Sequence, residues 1–276
     1  MDRETLCRLQ RTQLKILKEI KRVCDWIAIP YFLDWGTLLG AVRHGGFIPW
    51  DDDLDVGMTR EHYEAFLRLA PALLGEEVFL QTWHSDADYG LPFAKLRLKG
   101  TVFAEEVSAG SGAMNGIFVD IFPYDVFPAQ EKDRRWQGRR FELLRRMILV
   151  KCRYSPWAAG GRPALKKLLY LPLKLSAAVL RREKLIERFE AVTKRFNNEP
   201  SGLLFPSGTD NYGTAVVDGR LLTELAPIRF EDDFYLAPKD ADAYLTALYG
   251  DYMTPPPEDQ RENRHQVLVL SFGAHE

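Results

Sequence analysis

Apolar residues near the start of the chain return every three or four places: Ile16, Leu17, Ile20, Val23, Cys24 and Ile27, with lysines and arginines between them. That spacing predicts a surface helix over residues 5–28 with one buried face. Pro30 follows, and residues 31–33 read as a short strand running into a Gly36-Thr37 turn, with residues 38–43 opening a second helix. Gly45, Gly46 and Pro49 mark the next turn. Asp53-Leu54-Asp55-Val56 then alternates polar with apolar as a half-buried strand does. Thr59 is placed to cap a helix carrying Tyr63, Phe66, Leu67 and Ala70 on one face, which Pro71 ends or kinks.

Further strands are expected at 78–82, 93–98 and 117–122, interleaved with the helices, so the first 125 residues read as one α/β sheet unit. From 132 to 198 the pattern turns helical and basic, broken by SPWAAGGRP. After 201 it returns to glycine, proline and aromatic residues with short strands at 214–217 and 267–270. The expected organisation is an α/β (α+β) protein: a core in 1–128, a basic helical insertion in 129–200, and a segment, 201–276, that completes the core domain.

Composition narrows the class. At 276 residues, with 46% hydrophobic and 28% charged positions, the chain can bury a sizeable core. Its 37 basic and 39 acidic side chains give no global attraction to nucleic acid or to an anionic bilayer. Cys7, Cys24 and Cys152 are odd in number and lack metal-ligand spacing, which favours a reducing compartment. The N-terminus has no signal-peptide pattern, and no stretch approaches the roughly 18 apolar residues of a membrane span. A cytoplasmic protein is expected.

The chemistry concentrates in the acidic run Asp51-Asp52-Asp53-Leu54-Asp55. On a strand, residues two apart share a face, so Asp53 and Asp55 would project together while Leu54 and Val56 enter the core. Paired hard oxygens of this kind suit Mg²⁺ or Mn²⁺ completed by substrate phosphates. An isolated acidic run is more often a solvated turn; the neighbouring Gly36-Thr37 turn, offering backbone N–H groups and a hydroxyl to a phosphate, favours the functional reading. Asp120 sits within apolar Ile117-Phe118-Val119-Asp120-Ile121-Phe122, where a carboxylate must be paired or bound. It is a third metal ligand, the base for an acceptor hydroxyl, or the partner of Lys95 or Arg97 in an ion pair. Lys95 and Arg97 also share a strand face and could neutralise phosphate oxygens. Arg43 ranks above His44 as a phosphate contact.

Residues 31–58, YFLDWGTLLGAVRHGGFIPWDDDLDVGM, together with FAKLRLKGT at 93–101, VDIFPYD at 119–125 and YLTALYGDYMTPPPEDQR at 244–261, resemble the LicD family of phosphotransferases, which includes the fukutin-related proteins. Only about 129–208 carries no matching motif. The resemblance implies a nucleotidyltransferase-like mixed sheet with flanking helices, in which a small-residue turn (here Gly36-Thr37) precedes a strand with paired carboxylates (Asp53, Asp55) and a neighbouring strand supplies a third (Asp120). Thr37 departs from the commoner serine or glycine but keeps the hydroxyl. It further implies transfer of a phosphoalcohol, such as phosphocholine or phosphoribitol, from a CDP-alcohol donor to a sugar hydroxyl of a cell-surface glycan or its lipid-linked precursor, with Lys95 and Arg97 offsetting charge; Gly36, Thr37 and Arg43 complete the candidate contacts to the substrate phosphates.

Three rivals share these residues: transfer of a nucleoside monophosphate by the same carboxylates, a metal-dependent glycosyltransferase, which leaves Gly36-Thr37 and Asp120 unexplained, and a non-catalytic nucleotide or glycan sensor on the same fold. Residues 164–183, with Lys166, Lys167 and Lys174 among leucines, read either as a core-packed helix with a basic face or as a peripheral contact with the inner membrane face, where a lipid-linked acceptor would lie.

Overall fold

The computed structural model describes residues 1–155, 175, 177–209, 211–263 and 265–275. Lys166, Lys167, Lys174 and most of the candidate membrane helix lie outside the described residues.

The first helix, α1 (Arg3–Ile27), starts where Asp2 accepts the Thr5 N–H at 2.8 Å and ends at Ala28 in the left-handed region (φ 54°). Its buried stripe includes Leu6, Leu9, Ile16, Leu17, Ile20 and Val23. Strand β1 (Phe32–Leu33) leads into α2 (Trp35–His44), whose N-cap is Asp34 and whose C-cap, Gly45, has φ 72°. The helix therefore begins earlier than its apolar pattern indicates, and Gly36 and Thr37 lie inside its first turn. Strand β2 (Asp55–Thr59) and helix α3 (Arg60–Leu69) follow. Thr59 occupies the α3 N-cap position without capping; its hydroxyl lies 2.8 Å from His62 Nδ1.

Strands β3 (Val78–Gln81), β4 (Ala94–Leu98) and β5 (Val102–Glu105) precede the nine-residue β6 (Phe118–Val126), which is buried along nearly its whole length. Helices α4 (Glu131–Lys151) and α5 (Arg182–Thr193) pack on each other. The chain then returns through β7 (Leu203–Pro206), β8 (Val217–Asp218), the hairpin β9 (Leu225–Phe230) and β10 (Asp233–Pro238), α6 (Ala241–Tyr249), and β11 (Val267–Ser271).

The main sheet runs β1-β2-β6-β4-β3, with β2 parallel to β6 and the other neighbours antiparallel. One edge of β6 is shared: β4 covers its first half, and β7 pairs with Tyr124, Asp125 and Val126 at its end. Helix α1 packs on β4 and β6, and α3 on β2 and β6. A separate aromatic cluster, with Trp83, Tyr89, Phe127, Phe141, Phe189 and Phe205, forms around α4 and α5. Strand β11 pairs antiparallel with β5, bringing the C-terminal stretch back beside the sheet. The protein is thus a mixed α/β fold with flanking helices.

Candidate active site

The parallel register of β2 and β6 sets Asp55 directly opposite Asp120, and the antiparallel register of β4 sets Lys95 opposite Asp120 on the other side. Lateral partners point to the same face of a sheet, so the three side chains form a row. Asp53 lies just ahead of β2 rather than within it, and its side chain is 18% exposed.

Lys95 Nζ donates to Asp120 Oδ2 at 3.0 Å and lies 2.7 Å from Oδ1, which makes no hydrogen bond of its own. The ammonium also sits 3.3 Å from the centre of the Phe118 ring. Burial raises the Asp120 carboxyl, Lys95 opposes it, and the balance stands at about 6. Asp55 is pushed well above the usual carboxylate range, first by burial and then by Asp53, Asp120, Asp34 and Asp51. The row therefore holds more carboxyl groups than Lys95 alone can keep ionised, and a further cation would be needed to ionise them all.

The loop before β2 is fastened through its backbone. Gln10 Nε2 donates to the Ile48 and Asp51 carbonyls at 3.3 and 2.9 Å, Gln13 Nε2 to Asp52 at 2.8 Å, and Asn263 Nδ2 to Trp50 at 3.2 Å. These bonds hold Asp51, Asp52 and Asp53 so that one carboxylate oxygen of each lies within 4.8 Å of the others. Gly36 and Thr37 serve the same assembly. A Cβ on Gly36 would stand 2.6 Å from Asp51 Oδ2, so glycine leaves room for that carboxylate, and Thr37 Oγ1 accepts the Asp55 backbone N–H at 2.8 Å.

Asp34 anchors the turn from beneath. It is fully buried and accepts the Trp35 N–H at 2.7 Å and the hydroxyls of Tyr124 and Tyr244 at 2.8 and 2.5 Å. Burial nevertheless lifts it to about 6. Trp35 carries φ 42°, a left-handed conformation that costs energy in a non-glycine residue and is typical of functional sites.

Two side chains that the sequence reading did not single out enter the row. His265 Nδ1 lies 3.0 Å from Asp52 Oδ1, its backbone N–H reaches Asp52 Oδ2 at 3.4 Å, and its Nε2 stands 3.9 Å from Asp53 Oδ2 and 3.6 Å from Glu105 Oε1. Burial lowers the imidazole, but the Asp52 hydrogen bond and the charges of Asp53 and Glu105 outweigh it and raise the group to about 9. Nothing local flags His265, because its partner Asp52 is 213 positions away.

Neither of the two remaining expected arginines forms an ion pair with the row among the described residues. Arg97 is buried with Nη1 on the Gly116 carbonyl and Nε on Gln81 Oε1, bonds that hold the sheet edge. Arg43, at the far end of α2, donates to the Tyr252 carbonyl and to His44 Nε2, each at 3.0 Å.

Crowded hard oxygen donors, one of them a buried oxygen without a hydrogen bond, fit a Mg²⁺ or Mn²⁺ ion. Among the described residues, the three-carboxylate group within mutual ligand distance is Asp51, Asp52 and Asp53. Asp55 follows this group two residues on, with Asp120 opposite it on β6.

Comparison with known proteins bears on the same segment. Residues 28–149 match the LicD/FKTN/FKRP nucleotidyltransferase domain. Over 271 residues, 96% of this chain and 97% of the relative, the sequence is 28% identical to the lipopolysaccharide cholinephosphotransferase LicD of Haemophilus influenzae. The ribitol 5-phosphate transferases FKRP of Homo sapiens and Mus musculus are each 44% identical over 52 residues, 17% of this chain and 10% of theirs.

Proposed function

We propose, from the premise that this chain is a LicD-type phosphotransferase with its nucleotidyltransferase domain in residues 28–149, that it transfers a phosphoalcohol of phosphocholine type from a CDP-activated donor to a hydroxyl of a cell-surface glycan or its lipid-linked precursor. The observation that carries this reading is the pairing of Asp55 with Asp120 across two parallel strands, next to Asp53 in sequence and with Lys95 as the counter-charge on Asp120. Phosphocholine is favoured over phosphoribitol because the likeness to the cholinephosphotransferase runs the length of the chain, whereas that to the ribitol phosphate transferases is confined to 17% of it.

In this reading Asp53, Asp55 and Asp120 would hold Mg²⁺ or Mn²⁺, which when bound would supply charge neutralisation for the donor diphosphate. Thr37 fixes the Asp55 backbone, and Gly36 admits Asp51 to the back of the row. Lys95 stands within ion-pair distance of both Asp120 oxygens and holds the carboxylate in place, while Oδ1, which makes no hydrogen bond, is the oxygen that would turn to the ion or to the proton of the acceptor hydroxyl. Arg43 contacts substrate phosphate. No described helix is long and apolar enough to cross a membrane, and a lipid-linked acceptor would be met from the cytoplasmic face.

Product analysis tests the reading. Purified protein with Mg²⁺, CDP-choline and a glycan acceptor should release CMP. Pyrophosphate release from CTP would instead establish transfer of a nucleoside monophosphate by the same carboxylates.

A further inference from the structure

The carboxylate row accounts for the ion and for the reacting phosphorus, but it offers little to the phosphate that departs with the nucleotide. Helix α2 leads to a place that does. Arg43 follows Gly36 by seven residues, which on a helix returns to the same face about 10 Å further along, and helical side chains lean back toward the N-terminus. Arg43 bonds there to the Tyr252 carbonyl and to His44, which packs on Trp50, the residue just before the acidic run.

A second guanidinium meets it there from the other end of the chain. Arg261 lies over the Trp50 ring at 5.1 Å, and His44, which accepts a hydrogen bond from Arg43 Nε, packs edge-on against the same ring with centroids 6.2 Å apart. Trp50 immediately precedes Asp51, and Asn263 and His265, just beyond Arg261, bond to Trp50 and Asp52. Residues 261, 263 and 265 thus run alongside residues 50–52.

The two cations are poorly neutralised. Among the described residues, no carboxylate lies within ion-pair distance of Arg43, whose protein partners are the Tyr252 carbonyl and His44. Arg261 has Glu258 at 3.8 Å, an exposed side chain one helical turn back, and donates to the Pro256 carbonyl at 2.9 Å. Burial and then the like charge of Arg261 hold Arg43 below the usual guanidinium range. Two such charges gathered around Trp50, one directly and one through His44, repel unless an anion offsets them, and guanidinium forks match phosphate oxygens.

We infer that Arg43 and Arg261, braced by Trp50, form the subsite for the phosphate of the leaving nucleoside monophosphate. The assignment rests on the phosphoalcohol-transfer reading for the identity of the nucleotide; the anion-binding character of the pair does not.

The test is calorimetric titration of the full chain with CMP and with cytidine in EDTA, so that the ion contributes nothing. Arg43→Gln, Arg261→Gln and the double variant are compared with wild type, and thermal unfolding is followed to confirm that each variant is folded. Each single substitution should weaken CMP at least about tenfold, the loss of one charge-assisted contact. The double variant should lose less than the product of the two, and cytidine affinity should stay within about twofold. Arg261→Lys, which keeps charge but not the fork, should recover part of the loss. CMP affinity unchanged in folded single variants, equal loss for cytidine, or wild type binding CMP no better than cytidine would each overturn the subsite. Arginine-dependent CMP binding in a protein that turns over no CDP-alcohol would leave the subsite standing and remove the transfer reading. Turnover of CDP-choline with CMP binding indifferent to both arginines would do the reverse.

Discussion

At the scale of single residues, the site is an excess of carboxylates managed by one buried and one half-buried cation. Lys95 neutralises Asp120 alone, and His265 is shared among Asp52, Asp53 and Glu105. Asp53→Asn or Asp55→Asn, which preserve shape while removing charge, should each lower the transfer rate at least about a hundredfold, comparable to losing one transition-state electrostatic contact, as measured by CMP release. Full activity in both would contradict the ligand assignment. His265 makes a separate prediction. Its folded value of about 9 lies above the ordinary 6.5, so its contribution to stability is complete below pH 6.5 and is lost as pH rises through 9. In EDTA, urea unfolding of wild type should weaken across that window by about 3 kcal/mol at most, and His265→Asn should lack this component. The carboxylate positions were legible because an alternating Asp-x-Asp pattern and an acid within an apolar run need only local sequence. His265 and Glu105 were not, since their meaning depends on β11 pairing with β5, which puts residues 105 and 267 side by side.

At the scale of elements, the β1–α2–β2 unit converts a small-residue turn into a mount for acids. Gly36 and Thr37 read in sequence as a phosphate cradle; the fold puts them inside the helix, against Asp51 and the Asp55 backbone. That distinction is open to measurement. Gly36→Ala should displace the Asp51 carboxylate and weaken Mn²⁺ binding, read by electron paramagnetic resonance, with little change in the melting temperature. Unaltered Mn²⁺ affinity would show that Gly36 does not govern the acidic loop. Gly57→Ala makes a useful contrast, because its Cβ would meet the Phe32 ring within the β1–β2 pair. Overpacking there should cost about 1–3 kcal/mol of stability in chemical denaturation. Other elements were hidden by their own composition. Strand β9 contains Pro227, which argues against a strand in sequence and is accommodated here in a two-stranded sheet. Strand β7 is only Leu203–Pro206, recognisable once β6 extends beyond β4 and leaves an edge to be paired.

At the scale of the whole molecule, distant parts of the chain converge on one loop. Helix α1 supplies Gln10 and Gln13, the C-terminal stretch supplies Asn263 and His265, and Tyr244 of α6 supports Asp34 behind them. The alternation of strands and helices in the first 125 residues made the sheet legible, whereas this convergence depends on contacts that no sequence window spans. The assembly should be tightest when an ion and a donor satisfy its unbalanced charge. The central claim is therefore tested most directly by thermal protection with CDP-choline, with and without Mg²⁺, in wild type and Asp55→Asn. A donor present at 100 times its dissociation constant should stabilise the wild-type protein by about 2.7 kcal/mol. This protection should require Mg²⁺ and disappear in the variant. Equal protection of both proteins, or protection indifferent to Mg²⁺, would contradict it.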